Sequence, residues 1–168
     1  MLEKYKYKII TLDELKKKVG VYPRSKSVIM CHGVFDIVHP GHVRHMSYAK
    51  SKANSLIVSI TADKFVKKGR YRPHVPEKIR ALNLAAFEMV DFVLIDNHEK
   101  PLSTLLDLKP EFFAKGYEYN KEISFNSATK EEEEVLNSYG GEIIFTPGDI
   151  VYSSSNILNI KSPNLFLE

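Results

Sequence analysis

Two histidines three positions apart, His39 and His42, bracket Pro40-Gly41 directly after a short apolar run. Imidazoles so spaced can face one ligand, and as donors or cations they stabilise charge building on phosphate oxygens. The run ahead of them, Val28-Ile29-Met30-Cys31, reads as a strand buried on both faces. It passes through Gly33-Val34-Phe35-Asp36 into a helix that starts near Gly41. Open α/β sheets bind ligands at the carboxyl ends of their strands, where helix N-termini attract anions. Gly33 and Gly41 permit close approach of main chain to a phosphate. A zinc site is not expected, because no further Cys, His or carboxylate stands at suitable spacing. Nor is a hydride-transfer fold, whose Gly-x-Gly-x-x-Gly turn is missing after the first strand.

The elements that must position this segment alternate along the chain. Residues 1–26 form a lead-in with a helix over Leu12–Val19, capped by Thr11 with Glu14 in a capping box and stopped by Gly20. Strands are predicted at Val28–Cys31, Leu56–Ile60, Phe92–Ile95, Phe112–Ala114 and Ile143–Phe145. Helices are predicted at Gly41–Lys52, Glu77–Met89, Leu102–Asp107, Thr129–Ser138 and Ser153–Ile160. In the third helix, Ile79, Leu82, Ala86 and Met89 fall at core spacing, and the run Glu131–Glu134 reads as a solvated helix face. The expectation is a single α/β, Rossmann-like, doubly wound domain over residues 27–160, with a five-stranded, mostly parallel sheet flanked by helices. Residues 161–168 read as a tail or linker.

The motif and its surroundings resemble the cytidylyltransferase-like nucleotidyltransferase superfamily. His39-Pro40-Gly41-His42 after Gly33-Val34-Phe35-Asp36 looks like its His-x-Gly-His signature. Thr61-Ala62-Asp63 ends the second strand where that family places an acidic residue, and Pro76–Arg80 resembles its P-x-x-x-R entry into the next helix. Lys109–Tyr119 is similar to the KPDVLVKGGDY segment of ADP-heptose synthases, and Tyr152–Leu158 to their closing CSTTNII. The stretch Thr146–Ser153 carries no arginine, unlike the RTEGISTT close of glycerol-3-phosphate cytidylyltransferases, which points to sugar-phosphate adenylyltransferases. Gly116-Tyr117-Glu118 and the short loop Lys67–Pro73 depart from that branch, in the two regions that the resemblance places against acceptor or base.

The resemblance implies transfer of a nucleotidyl group from a nucleoside triphosphate, ATP or CTP, to a phosphorylated acceptor such as heptose 1-phosphate. His39, His42, Lys67 and Arg80 are then the catalytic phosphate contacts. Gly33, Val34, Phe35, Gly41, Lys115, Gly116, Ser153, Ser154 and Ser155 bind the nucleotide. Asp36, Asp63, Lys68, Arg70 and Arg72 serve the acceptor. Mg²⁺ rides on the triphosphate rather than in a protein cage. A homodimer, and fusion to or partnership with a sugar kinase, belong to the same expectation. The alternatives are a CTP-dependent enzyme for a polyol, amino-alcohol or phosphonate acceptor, and a non-catalytic nucleotide-binding regulatory module.

Bulk properties agree with that reading. The 168 residues suit one domain, and 43% hydrophobic with 27% charged residues is ordinary globular composition. A net charge of +3 fits an anionic small molecule and is too weak to argue for nucleic acid. The lone Cys31 rules out an internal disulfide framework and fits a reducing cytoplasm. No apolar stretch approaches the roughly 20 residues that span a bilayer, so no membrane partner is expected. Cys31, His32, His45, His74 and His98 are read as structural or surface residues.

Overall fold

Local signals act first at the N-terminus. Thr11 accepts from the Glu14 N–H while Glu14 accepts from the Thr11 N–H, and Gly20, at φ 82°, ends the helix as expected. The computed structural model describes residues 2–67, 69, 71–116 and 127–147. A 3₁₀ segment, Leu2–Lys8, precedes α1 (Leu12–Val19), β1 (Val28–Gly33), α2 (Pro40–Lys50) and β2 (Ser55–Thr61). A 3₁₀ turn at Asp63–Phe65 leads to α3 (Glu77–Ala85) and β3 (Phe92–Asp96). Then come α4 (Leu102–Leu108), β4 (Phe112–Lys115), α5 (Ser127–Asn137) and β5 (Glu142–Phe145). The predicted final helix, Ser153–Ile160, lies outside the described residues.

The five strands are ordered β3-β2-β1-β4-β5, and every neighbouring pair is parallel. The doubly wound α/β expectation holds. Strand alternation divides the core into two layers. Ile29, Cys31, Leu56, Val58 and Val93 pack with Met46 and Ala49 of α2 and with Ala81, Leu84 and Ala85 of α3. Val28, Met30, Ile57 and Phe113 face Leu15 of α1, Leu105 and Leu108 of α4 and Leu136 of α5. The lead-in joins this sheet: Ile9 bridges to Val93, and the Lys8 ammonium donates to the Phe87 and Val90 carbonyls at 3.1 and 2.7 Å.

Two expectations need correction. Helix α3 stops at Ala85, followed by turn bonds from Phe87 to Leu84 and from Val90 to Phe87, and it buries Arg80 while leaving Ile79 48% exposed. The helix is rotated from its apolar periodicity because Arg80 has carbonyl partners inside the fold. The Glu131–Glu134 run is not wholly solvated either: Glu132 is 7% exposed, drawn inward by Lys115 of β4.

Candidate active site

The strand order reverses between β1 and β4, because the chain winds outward through β2 and β3 before returning to β4. At such a switch point the flanking connections leave on opposite faces and open a crevice beyond the strand ends. Gly33 ends β1 and Lys115 ends β4, so Gly33-Val34-Phe35 and Lys115-Gly116 border one crevice. Helix α2 begins directly beyond β1. His39 occupies its N-cap position in extended conformation, and Pro40 stands at the first helical position, where its missing N–H costs nothing. The helix presents its positive end, with the Gly41 main chain, beside the crevice.

The two histidines of the motif come together. Their rings stack with centroids 3.7 Å apart and an interplanar angle of 24°, and Phe35 packs against His42 at 4.9 Å. Phe35 adopts a left-handed φ of 49°, and a Cβ added at Gly33 would lie 3.1 Å from its ring. A side chain at Gly33 would press on the aromatic ring that backs the histidines, which would have to shift by a few tenths of an ångström. His39 is 8% exposed. Beside it a cavity of about 830 Å³ is lined by Asp36, Val38, Arg44, Asn83 and Phe87 among others.

Arg80, read as a catalytic phosphate contact, is engaged by the protein itself. It is fully buried; Nε donates to Val75 O at 2.9 Å, and Nη2 to Thr61 O at 2.9 Å and Asp63 Oδ1 at 2.6 Å. Its Nη1 donates to Val34 O. One side chain thus ties the exit of β1, the exit of β2 and the loop before α3. Asp63, read as an acceptor contact, is bonded at both oxygens: the second accepts from the Glu77 N–H, and Glu77 accepts from the Asp63 N–H, while the side chain stays 40% exposed.

Asp36 and Arg72, both read as acceptor contacts, bond to each other at 2.7 Å, and Asp36 also accepts from the Val75 N–H at 2.9 Å. Burial alone would raise the Asp36 carboxyl; the Val75 and His74 N–H groups and the Arg72 guanidinium outweigh it and hold the group below the usual carboxylate range. Val75 is consequently gripped at both polar atoms, by Asp36 and Arg80. Lys67 pairs with Glu99 at 2.6 Å on the surface, where such a pair is weak and easily exchanged. Lys115 pairs with Glu132 across the other face, both side chains about one-tenth exposed. Lys68, Arg70, Ser153, Ser154 and Ser155 lie outside the described residues.

Other groups bond at the carboxyl edge, His45 among them in a structural role. His45 binds Thr146 Oγ1 through Nδ1 at 3.0 Å, and Thr146 donates to Lys115 O, linking α2 to β4. Burial pushes the His45 imidazole down to about 4 and that of His32 likewise, so both are neutral at pH 7. The signal for His45 was its position three residues beyond His42 on one helix face. Among the described residues no group of three His, Cys, Asp or Glu side chains is placed to hold a metal. No helix among them is long and apolar enough to cross a membrane.

A stacked histidine pair at a helix start beside the switch point of a parallel sheet is an arrangement suited to an anionic ligand, and comparison with known proteins places the chain. The profile of the cytidylyltransferase-like family matches residues 30–160, and the chain belongs to that family. It is a nucleotidyltransferase. The bifunctional protein HldE of Campylobacter fetus is 34% identical over 157 residues, which cover 92% of this chain and 31% of that protein. HldE of Blochmanniella floridana is 31% identical over 98% of this chain and 35% of its own length. The chain therefore spans about a third of these relatives. Among solved structures, a lipopolysaccharide core biosynthesis protein from Thermoplasma volcanium superposes with a TM-score of 0.62 at 21% identity, over 75% of this chain and all of that one. A pantoate-beta-alanine ligase from Francisella tularensis also reaches 0.62, at 13% identity over 91% of this chain and 73% of its own. These two likenesses concern the fold.

Proposed function

We propose that this nucleotidyltransferase moves a nucleoside monophosphate from ATP to a sugar phosphate such as heptose 1-phosphate and releases pyrophosphate. The observation that carries the proposal is the stacked His39–His42 pair at the positive end of α2, beside the β1/β4 switch point. An acceptor phosphate oxygen attacks the α-phosphorus in line, and the bond to the β-phosphate oxygen breaks. The attacking oxygen is already anionic, so no strong base is needed, and catalysis consists of positioning and charge neutralisation. His39 and His42 donate to the phosphate oxygens as charge gathers there. Lys67 leaves Glu99 to meet a phosphate, and Ser153, Ser154 and Ser155 contribute hydroxyls to the far end of the triphosphate. Arg80 acts through Val34, Thr61 and Val75, holding in register the backbone segments that frame the site.

The donor set fits Mg²⁺ arriving with the nucleotide: carboxylates near the histidines are already bonded, and Mg²⁺ keeps water and phosphate ligands readily. When bound, the ion adds charge neutralisation on the triphosphate. The sugar acceptor rests on the resemblance of Lys109–Tyr119 and Tyr152–Leu158 to segments of ADP-heptose synthases. A cytoplasmic homodimer, and a sugar kinase fused or separate that supplies the acceptor, belong to the same proposal.

Pyrophosphate release measured with ATP, CTP, GTP and UTP against heptose 1-phosphate, hexose 1-phosphates and glycerol 3-phosphate tests it. Turnover with ATP and a sugar 1-phosphate is expected. Turnover confined to CTP with glycerol 3-phosphate would replace donor and acceptor together. Tight nucleotide binding without turnover on any acceptor would leave a binding module only.

A further inference from the structure

Lys115, the last residue of β4, is tied to helices on both faces of the sheet. On the face that α5 covers, its ammonium pairs with Glu132. On the face that α2 covers, its carbonyl accepts from Thr146 through the N–H and through Oγ1, each at 2.9 Å. Thr146 directly follows β5 and is 7% exposed. A carbonyl cannot donate, so the hydrogen of that second bond is the Thr146 hydroxyl's. The Thr146 oxygen therefore accepts from His45 Nδ1 of α2 at 3.0 Å. The bonds run in one direction, from His45 to Thr146 to Lys115, and they fix the Nδ1–H tautomer of a ring that burial keeps neutral at pH 7.

These bonds join two borders of the crevice. His39, His42 and His45 succeed one another at three-residue steps from the start of α2, so His45 stands nearly one turn beyond His42 on one side of the helix. Gly116 follows Lys115 and borders the crevice from β4. The apolar contacts of α2 with the sheet, through Met46 and Ala49, hold the helix down but have no direction. A hydrogen bond does have one, and it weakens steeply once its angle or length departs from the optimum. The His45 bond therefore sets how far α2 slides along the sheet, and with it where the histidine pair stands relative to Lys115 and Gly116. Toward the other end of the helix, Lys50 bonds Asp91 at 2.6 Å, just ahead of β3. Two polar ties, one to each side of α2, hold it against sliding and swivelling.

We infer that His45 is a positioning residue for nucleotidyl transfer, which through Thr146 holds the His39–His42 pair in register with the Lys115–Gly116 border of the crevice. The inference rests on the transfer reaction proposed above. His45 touches no substrate in this role. It keeps the phosphate donors of α2 and the nucleotide border of β4 at one spacing, and misplacing reacting groups by about 1 Å costs up to about 100-fold in rate. The spacing matters most in the transition state, where the donors meet charge that the ground state does not carry. Its loss therefore falls on kcat rather than on ATP binding.

The test compares pyrophosphate release by the full chain in wild type, His45→Phe, Thr146→Val, the two combined, and the conservative His45→Asn and Thr146→Ser. Phenylalanine and valine keep the volume and remove the bond, whereas asparagine places an N–H near the position of Nδ1. His45→Phe and Thr146→Val each lower kcat about 10- to 100-fold, while KM for ATP stays within about threefold. The double variant is no slower than the slower single one, because both break the same chain of bonds. His45→Asn and Thr146→Ser recover most of the rate. Far-UV circular dichroism and urea midpoints establish that each protein assayed is folded. An unchanged kcat in the folded single variants, a loss confined to KM for ATP, or losses that multiply in the double variant would each overturn the inference. A second readout needs neither ligand nor turnover: the imidazole resonances of His39 and His42. They shift in Thr146→Val and return in Thr146→Ser; resonances that stay in place in Thr146→Val overturn the tie. If no pair of substrates releases pyrophosphate yet those resonances shift, the transfer reading fails and the tie between α2 and β4 stands.

Discussion

Replacing Arg80 by methionine separates a phosphate contact from a positioning residue. Methionine fills much of the same space while removing every donor. The Thr61 carbonyl, in a fully buried bond, then loses about 1–3 kcal/mol, and the partly buried Val34 and Val75 carbonyls about 0.5–1.5 kcal/mol each. The total is roughly 2–6 kcal/mol, with the loss of the Asp63 pair in addition. Against a domain stability of about 5–15 kcal/mol, the variant is severely weakened or unfolded at 37 °C. Arg80→Lys recovers only part, because one ammonium cannot span the four acceptors that the guanidinium fork reaches. Urea denaturation of the full chain, followed by intrinsic tyrosine fluorescence and far-UV circular dichroism, measures the loss. A loss under 1 kcal/mol, with kcat down 100-fold or more in a stable variant, would refute the reasoning and return Arg80 to the phosphates.

Three further outcomes are expected. His42→Ala keeps the fold and loses about 10²–10³-fold in kcat, as does the removal of one transition-state donor elsewhere; an unaltered rate of pyrophosphate release would remove the histidine pair from the mechanism. His32 and His45 each sit near 4 when folded and near 6.5 when unfolded. The unfolded chain thus binds more protons between those values, so stability is full above about pH 6.5 and falls as pH drops toward 4. His45→Gln flattens that slope in urea titrations at successive pH, and an unchanged slope contradicts the assignment. Lys115→Met strands the buried Glu132, whose carboxyl burial already raises despite the lysine, and costs about 3–5 kcal/mol. The folded carboxyl in that variant rises further and binds more protons than the unfolded one, so its stability declines with rising pH. Lys115→Met/Glu132→Leu recovers most of the loss, and failure of that recovery would deny the pair its role.

Local order was legible where short-range chemistry decides it. Thr11, Glu14 and Gly20 form their helix ends from residues a few positions away. Five apolar runs became five strands, because burial on both faces leaves a continuous hydrophobic trace in parallel sheets. His39-Pro40-Gly41-His42 announced a turn into a helix start beyond the first strand because strand, turn and helix start are contiguous in the chain.

The roles of Arg80, Asp36 and Glu132 were not legible, because their partners are distant in sequence. Arg80 meets a carbonyl 46 residues away, and Asp36 meets Arg72 across 36. A charged residue in an amphipathic helix is read as solvent-facing unless buried acceptors await it, and only the assembled sheet brings Val34, Thr61 and Val75 to one point. The same holds for Lys115, which draws Glu132 out of an acidic run. The sequence alone determined the elements, their order and the histidine pair, all set by nearest neighbours along the chain. Which charges are buried was decided by tertiary structure, because desolvation depends on everything packed around a group.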